Sequence, residues 1–104
     1  MVSEGDIEKA VDYLRSSAEA SGKARGRMAY CDGQLRRIKS LVMLEKDGSI
    51  GLREAEAYAS KDYANALEQL ENATADYETI RAKREAAQYA VRTHPPADAR
   101  SARG

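Results

Sequence analysis

The sequence predicts an all-α protein: a long antiparallel helical hairpin with a short helix at the turn and a disordered C-terminal tail. Two stripes of apolar and small residues at helical spacing flank a glycine-containing break at residues 47–51, and two such helices can close on each other. The charges favour antiparallel pairing, because folding the chain at its middle brings the basic residues 21–40 beside acidic residues of the 60s and 70s. We therefore expect a hairpin domain over residues 1–94.

The first stripe predicts a helix over residues 4–46. Ser3 is a suitable N-cap, and Asp6 follows in the positively polarised first turn. Steps of three and four residues place the stripe on one helix face. Its members are Ile7, Val11, Leu14, Ala18, Ser21, Ala24, Met28, Cys31, Leu35, Ile38 and Val42.

Three glycines interrupt this helix. Gly22, Gly26 and Gly33 each cost roughly 1 kcal/mol relative to alanine in a helix interior. They indicate either a local irregularity or a place where another backbone comes close, and the sequence leaves both alternatives open.

After the break, the sequence predicts helices at about residues 52–59 and 61–92, capped by Ser49 and Ser60. One helix with a bend near Ser60 is the alternative. The second stripe comprises Tyr63, Leu67, Leu70, Ala73, Tyr77, Ile80, Arg84, Ala87 and Val91. The last helix ends at His94-Pro95, since a residue before proline is displaced from the helical conformation. Residues 95–104 have no apolar period and predict the disordered tail.

Each stripe departs once from the alternation of three and four. Two successive three-residue steps occur at Ala18, Ser21 and Ala24, and again at Leu67, Leu70 and Ala73. Such steps would locally overwind a coiled coil. The sequence therefore favours a short two-helix pairing over an extended coiled coil.

Composition predicts a thin core and self-association. The 104 residues include six tyrosines but no Trp or Phe, and a small, elongated chain buries little of its surface. We expect a homo-oligomer. The 17 basic and 17 acidic residues cancel, so no global field attracts nucleic acid or a membrane.

The sequence contains no signal peptide or apolar run long enough to cross a bilayer, and its single cysteine cannot form an internal disulfide. These features predict a cytoplasmic protein without membrane contact.

No residue pattern predicts catalysis or a metal or cofactor site. Cys31 lies within the apolar stripe, and we expect a small buried residue rather than a nucleophile. His94 has no second ligand at useful spacing, and we expect it to interact with the helix end. The carboxylate pairs Glu54/Glu56 and Glu68/Glu71 are expected to face water. We expect a protein that is not an enzyme.

Six basic residues form the candidate nucleic-acid site: Lys23, Arg25, Arg27, Arg36, Arg37 and Lys39. Lysine and arginine on one helix can follow phosphates, and Tyr30 is available for stacking. Antiparallel pairing, the alternative, would neutralise several of them. Arg92, Arg100 and Arg103 could add a basic arm or simply a solubilising end.

Tyrosines provide the candidate protein-binding residues. Tyr58 and Tyr89 are expected to contact a partner. Tyrosine is enriched at protein interfaces, because its ring packs on apolar surface while its hydroxyl contacts water. Tyr63 and Tyr77 lie on the second stripe and are expected in the core. Arg84 on the same stripe either extends to solvent or pairs with an acid such as Glu19.

Several segments resemble a group of small bacteriophage helical proteins. They are YLR at residues 13–15, RRIKSLVMLE at 36–45, REAEAYA at 53–59 followed by Asp62-Tyr63, and AAQ at 86–88 before Arg92. The resemblance implies an accessory protein encoded near phage replication and recombination functions. Such proteins often begin the last helix with proline, where this chain has Lys61. No functional residue is carried over.

Two functional hypotheses follow. The first is a non-enzymatic phage accessory protein that acts in DNA recombination or replication, through association of its helices and through basic residues 23–39. The alternative is an adaptor or inhibitor directed at a host enzyme or defence complex in the host cytoplasm. In that case Tyr58, Tyr89 and the acidic residues 54–78 would form the contact surface.

Overall fold

The computed structural model describes residues 3–94, which form three helices and no strand. Helix α1 spans Glu4–Glu45, α2 spans Ile50–Tyr58 and α3 spans Lys61–Thr93. Helix α1 packs on α3 as a hairpin with α2 at the turn, which confirms the predicted fold class. The predicted tail at residues 95–104 lies outside the described residues.

The hairpin divides into two compact units, and each contains a stretch of α1 and a stretch of α3. The first, the terminal unit, comprises Met1–Ser21 and Thr79–Gly104. The second, the turn unit, is Gly22–Glu78 and includes α2.

A reciprocal capping pair starts α1 at Ser3, the residue that the sequence predicts as the N-cap. The backbone N–H of Asp6 donates to Ser3 Oγ over 3.1 Å, and the backbone N–H of Ser3 donates to Asp6 Oδ2 over 3.0 Å. Both bonds satisfy amides that a helix start leaves without a partner. The backbone and side-chain hydrogen bonds from Ser3 lower the pKa of Asp6 below its ordinary value.

Serine caps also separate α2 from α3. Ser49 Oγ accepts from the backbone N–H of Leu52 over 3.2 Å, and Ser60 Oγ accepts from that of Tyr63 over 3.1 Å. Ser60 Oγ also donates to the Ala57 carbonyl over 2.7 Å. The chain therefore forms a short helix followed by a long one, rather than a single bent helix.

Gly48 allows the chain to turn between α1 and α2. Its φ of 109° lies in the region that residues with a side chain rarely adopt. A Cβ at this position would also approach Leu52 Cδ2 to 2.9 Å. The break therefore depends on glycine at this position.

The glycines within α1 cause neither of the two predicted effects. The helix continues through Gly22, Gly26 and Gly33 without interruption. A Cβ added at any of the three would meet nothing within 4 Å. These positions therefore carry neither an irregularity nor a closely packed backbone in the described part of the chain.

The prediction of irregular three-residue steps is wrong in both helices. Ser17 is buried and Ala18 is exposed, and likewise Ala66 is buried and Leu67 is exposed. When Ser17, Ala66 and the half-buried Ala10 are counted as members of the buried stripes, the alternation of three- and four-residue steps is unbroken. It runs through residues 7, 10, 14, 17, 21, 24, 28, 31, 35, 38 and 42 of α1, and through 63, 66, 70, 73, 77, 80, 84, 87 and 91 of α3. We call these positions the seam.

Small residues recur along the seam. In α1, Ala10, Ser17, Ala24 and Cys31 follow one another at intervals of seven, and in α3 Ala66 and Ala73 do so, with Ala87 fourteen residues further on. The buried apolar residues of the described chain are Cys31, Val42, Ala57, Ala66 and Ala73, and no large side chain is fully buried. Small seam residues allow close helix approach, but they leave a core with little apolar volume.

Candidate functional site

The turn unit carries an apolar groove between α1 and α3, with a volume of about 690 Å³. Cys31, Ile38 and Val42 of α1 line it, together with Ala66 of α3. Leu41, also a lining residue, is 46% exposed. We call this feature the docking groove.

Tyr30 adds a large aromatic side chain to the docking groove. Its side chain is 66% exposed. Tyr30 and Leu41 lie beside the seam of α1 and not on it, so packing within the hairpin leaves them accessible.

The two ends of the docking groove carry opposite charges. Arg27 lines one end, and Glu45 lines the other end with Asp62 at the start of α3. Glu45 and Asp62 also line a second, smaller cavity together with Lys46 and Lys61. Since α1 rises about 1.5 Å per residue, Arg27 and Glu45 are separated by about 27 Å. The groove is therefore mostly apolar between a basic end and an acidic end, and its uncharged polar lining residues are Gln34, Asn65 and Gln69.

A polar cluster joins α2 to α1 on a different part of the turn unit. Lys39 Nζ donates to Glu54 Oε1 over 3.0 Å and to the Tyr58 hydroxyl over 2.8 Å. The Tyr58 hydroxyl donates to the same Glu54 oxygen over 3.2 Å. The Tyr58 ring also meets the Tyr63 ring edge to face, with 5.2 Å between centroids. The cluster therefore connects α1, α2 and the start of α3.

Hydrogen bonds within this cluster shift two pKa values. The bonds to Tyr58 and then to Glu54 raise the pKa of Lys39 above its ordinary value. The bond from Lys39 lowers the pKa of Glu54 below its ordinary value. Glu54 is half-buried and bonded, so the prediction that it simply faces water is wrong.

The six predicted nucleic-acid residues do not form one surface. Lys39 is half-buried in the polar cluster, and Arg36 pairs with Asp32 of its own helix over 2.6 Å. The other four, Lys23, Arg25, Arg27 and Arg37, are exposed. Helical geometry places Arg27 and Arg37 on the side of α1 that carries Tyr30, whereas Arg25 and Arg36 lie about 100° or more away from it.

The two predicted partner-binding tyrosines have different surroundings. Tyr58 is 49% exposed, but its hydroxyl and ring are engaged by Lys39, Glu54 and Tyr63. Tyr89 of the terminal unit is 62% exposed. Tyr89 therefore presents more of its side chain to a partner than Tyr58 does.

Arg84 has a structural role within the terminal unit. Its Nη1 donates to the Leu14 carbonyl over 2.8 Å and to Ser17 Oγ over 2.7 Å. Ser17 Oγ in turn donates to the Tyr13 carbonyl over 2.6 Å. The small serine on the seam thus accommodates an arginine from the opposite helix.

The residues considered for catalysis are dispersed. Cys31 is buried, as predicted, in the docking groove of the turn unit. His94 follows the end of α3 in the terminal unit, and Glu68 and Glu71 are exposed. Within residues 3–94, no group of three or more His, Cys, Asp or Glu residues could hold a metal ion. No helix of the described chain has the length and apolarity needed to cross a membrane.

The docking groove is not predicted by the sequence. Tyr30 and Leu41 were the available signal, because both are large apolar residues just beside the first stripe. No family model, curated protein or solved structure matches this chain. The resemblance to phage helical proteins therefore stays a prediction.

Proposed function

We propose that this chain is a non-enzymatic protein-interaction module that takes an amphipathic helix into its docking groove. The observation that carries the proposal is the groove itself, with an apolar lining, two exposed large side chains and charged ends. A helix with one apolar face and charged residues near its ends complements such a groove.

The distribution of apolar side chains in the turn unit supports this proposal. Its buried apolar residues are all alanine, cysteine or valine, whereas seven large apolar side chains are exposed. These seven are Tyr30, Leu41, Leu44, Ile50, Leu52, Tyr58 and Leu67. Two of them, Tyr30 and Leu41, line the docking groove, and large apolar side chains exposed at a groove are typical of an interaction site.

Capture from a lysate, compared between matched variants, tests this function. The tagged full chain is incubated with host lysate that also contains an untagged copy of the chain, and retained proteins are identified by mass spectrometry. Leu41→Glu places a charge in the groove, whereas Ile50→Glu introduces the same side chain at a more exposed position outside it. We expect Leu41→Glu to lose proteins that wild type and Ile50→Glu retain. Equal retention by all three would contradict groove binding.

A host enzyme or defence complex is the proposed partner class if the captured protein is not another copy of the chain. Charged ends on the groove select the order of charges along the partner helix, because like charges repel at close range. We expect action in the cytoplasm on the sequence grounds given above.

Nucleic-acid binding in recombination or replication is the second candidate function. The observation in its favour is that Arg27 and Arg37 are exposed on the same side of α1 as Tyr30. Two cations beside an aromatic ring suit phosphate contact with base stacking. This surface would make the chain an accessory protein of the kind that the phage resemblance implies.

Fluorescence anisotropy with short single- and double-stranded DNA tests the second candidate. Binding should weaken steeply as salt rises, because phosphate contacts release counterions. The double variant Arg27→Gln/Arg37→Gln should weaken binding more than Arg25→Gln/Arg36→Gln, which removes the same charge from another side. No binding by wild type at low salt would eliminate this function.

A further inference from the structure

We infer that the occupant of the docking groove is the same groove of a second copy of this chain, related to the first by a two-fold axis. This inference rests on the proposed function, because it names the partner of that groove. In the dimer, α1 helices of the two copies run antiparallel, and the apolar middles of the two grooves cover each other.

The charge order along the groove carries the inference. A two-fold axis perpendicular to the groove reverses the second copy and so exchanges the two ends of the groove. Contacts across such an axis are reciprocal, so each one occurs twice. Arg27 therefore meets Glu45 and Asp62 of the partner subunit, and the reciprocal contacts form at the other end. A parallel arrangement would place Arg27 beside its own equivalent and acids beside acids.

The apolar residues follow the same symmetry. Tyr30 lies near Arg27 and Leu41 lies near Glu45 on α1. Reversing the second copy therefore places each of these exposed side chains near the other across the interface. A suitable partner helix needs a basic end, apolar residues and an acidic end. The α1 residues that line the groove follow this order, with Arg27 first, then Tyr30, Ile38 and Leu41, and Glu45 last. The paired hairpins would form a four-helix bundle, in which small cores are commonly completed.

Charge reversal tests the symmetry directly. Arg27→Glu makes both ends of the groove acidic, and Glu45→Arg introduces a base at the acidic end. Each single variant therefore faces like charges in its own dimer. The double variant Arg27→Glu/Glu45→Arg restores opposite charges, and so does an equimolar mixture of the two single variants. Circular dichroism on each variant verifies that the helices are intact.

Sedimentation equilibrium over a range of protein concentrations provides the measurement. We expect a dimer for wild type and a dissociation constant about tenfold or more higher for each single variant, because two symmetric ion pairs become repulsive. The mixture and the double variant should return to within about threefold of wild type. Ile50→Glu should remain dimeric and Leu41→Glu should become monomeric.

The outcomes separate this inference from the proposed function. A monomeric wild type, or a mixture as weak as its single variants, would overturn two-fold pairing of the grooves. If such a monomer still captures another protein in a Leu41-dependent way, groove binding stands and only the identity of the partner is wrong. A monomer whose captured proteins are unaffected by Leu41→Glu would overturn both.

Discussion

Arg84 shows how one polar side chain is accommodated on an apolar seam. Its guanidinium group reaches across the terminal unit to the Leu14 carbonyl and to Ser17 Oγ. A hydrogen bond from a charged donor contributes more to stability than one between neutral groups. Removing the donor also leaves a buried acceptor without a hydrogen bond. Arg84 therefore stabilises the seam through directed bonds.

Replacing Arg84 with alanine should lower the free energy of unfolding by about 1.5–3 kcal/mol, since two charge-assisted bonds are lost. Urea unfolding followed by circular dichroism at one fixed protein concentration measures the change. Lys83→Ala removes a neighbouring exposed cation, and its effect should stay within about 0.5 kcal/mol. Equal effects of the two substitutions would contradict the role assigned to Arg84.

A double-mutant cycle separates the contribution of the Arg84–Ser17 contact. Ser17→Ala and Arg84→Ala should be non-additive by about 0.5 kcal/mol or more, because each removes the same bond. Additive effects would mean that the hydrogen bond contributes nothing to stability.

The sequence identifies Arg84 as the exception on its stripe but does not specify its partners. An acidic partner is one expectation, because charge is visible in a sequence. The partners observed are a backbone carbonyl and a serine hydroxyl, 70 and 67 residues away. Such contacts depend on how two helices are placed, which no local pattern specifies.

At the scale of elements, two glycines near the turn provide a matched pair. Gly48 has a positive φ, whereas Gly51 lies in α2 with nothing within 4 Å of an added Cβ. Gly48→Ala should destabilise the protein by about 1–2 kcal/mol through backbone strain. Gly51→Ala should stabilise it by about 0.5–1 kcal/mol, because alanine favours the helix. Thermal melts of both variants test these opposite signs.

The polar cluster of α2 predicts how stability depends on pH. The folded pKa of Glu54 is below its ordinary value of 4.5, so its contribution is present above that pH and is lost as pH falls through the folded value. The folded pKa of Lys39 is above its ordinary value of 10.5, so its contribution is present below that pH and is lost as pH rises through the folded value.

Melting temperatures measured from neutral to acidic pH test the predicted contribution of Glu54 to stability. Wild type should lose stability below about pH 4.5, and Asp6 adds to this loss because its folded pKa is also lowered. The melting temperature of Glu54→Gln should fall less on acidification, since this variant already lacks the contribution of the ionised Glu54 carboxylate. Glu68→Gln removes an exposed acid outside the cluster and should follow wild type. Identical pH profiles for all three proteins would contradict the contribution of Glu54.

Helix ends were predicted from sequence more successfully than the seam. Ser3, Ser49 and Ser60 cap their helices as predicted, because a cap involves residues only a few positions apart. The seam was placed on Ala18 and Leu67 by their apolar character, whereas Ser17 and Ala66 are buried. A shift of one residue turns a helix face by about 100°, and packing against the second helix selects the face.

At the scale of the whole molecule, self-association should make thermal stability depend on protein concentration. For a dimer through the docking groove, the melting temperature should rise by about 3–5 °C for each tenfold increase in concentration. Leu41→Glu should remove this dependence, whereas Ile50→Glu should retain it. A melting temperature independent of concentration in wild type would contradict association in the folded state.

The hairpin could be predicted from the sequence, but its groove could not. Periodicity identifies helices and their pairing, whereas a groove requires side chains from two helices to leave space beside the seam. Cys31 was correctly predicted to be buried, but its position on a groove lined by Ala66 is a property of the paired helices. Tyr30 was considered only for base stacking, because its apolar neighbourhood depends on the fold.

The small buried residues give this protein an unusual pattern of mutational tolerance. Ala57 of α2 and Ala73 of the seam, at 0% and 1% exposure, are the most deeply buried apolar residues within 3–94, and each has only one methyl group to lose. Truncation at these sites therefore removes little contact area, whereas enlargement forces tightly packed helices apart at a cost of typically 1–3 kcal/mol. Natural variation at the interior of this hairpin is thus limited chiefly by an upper bound on side-chain size.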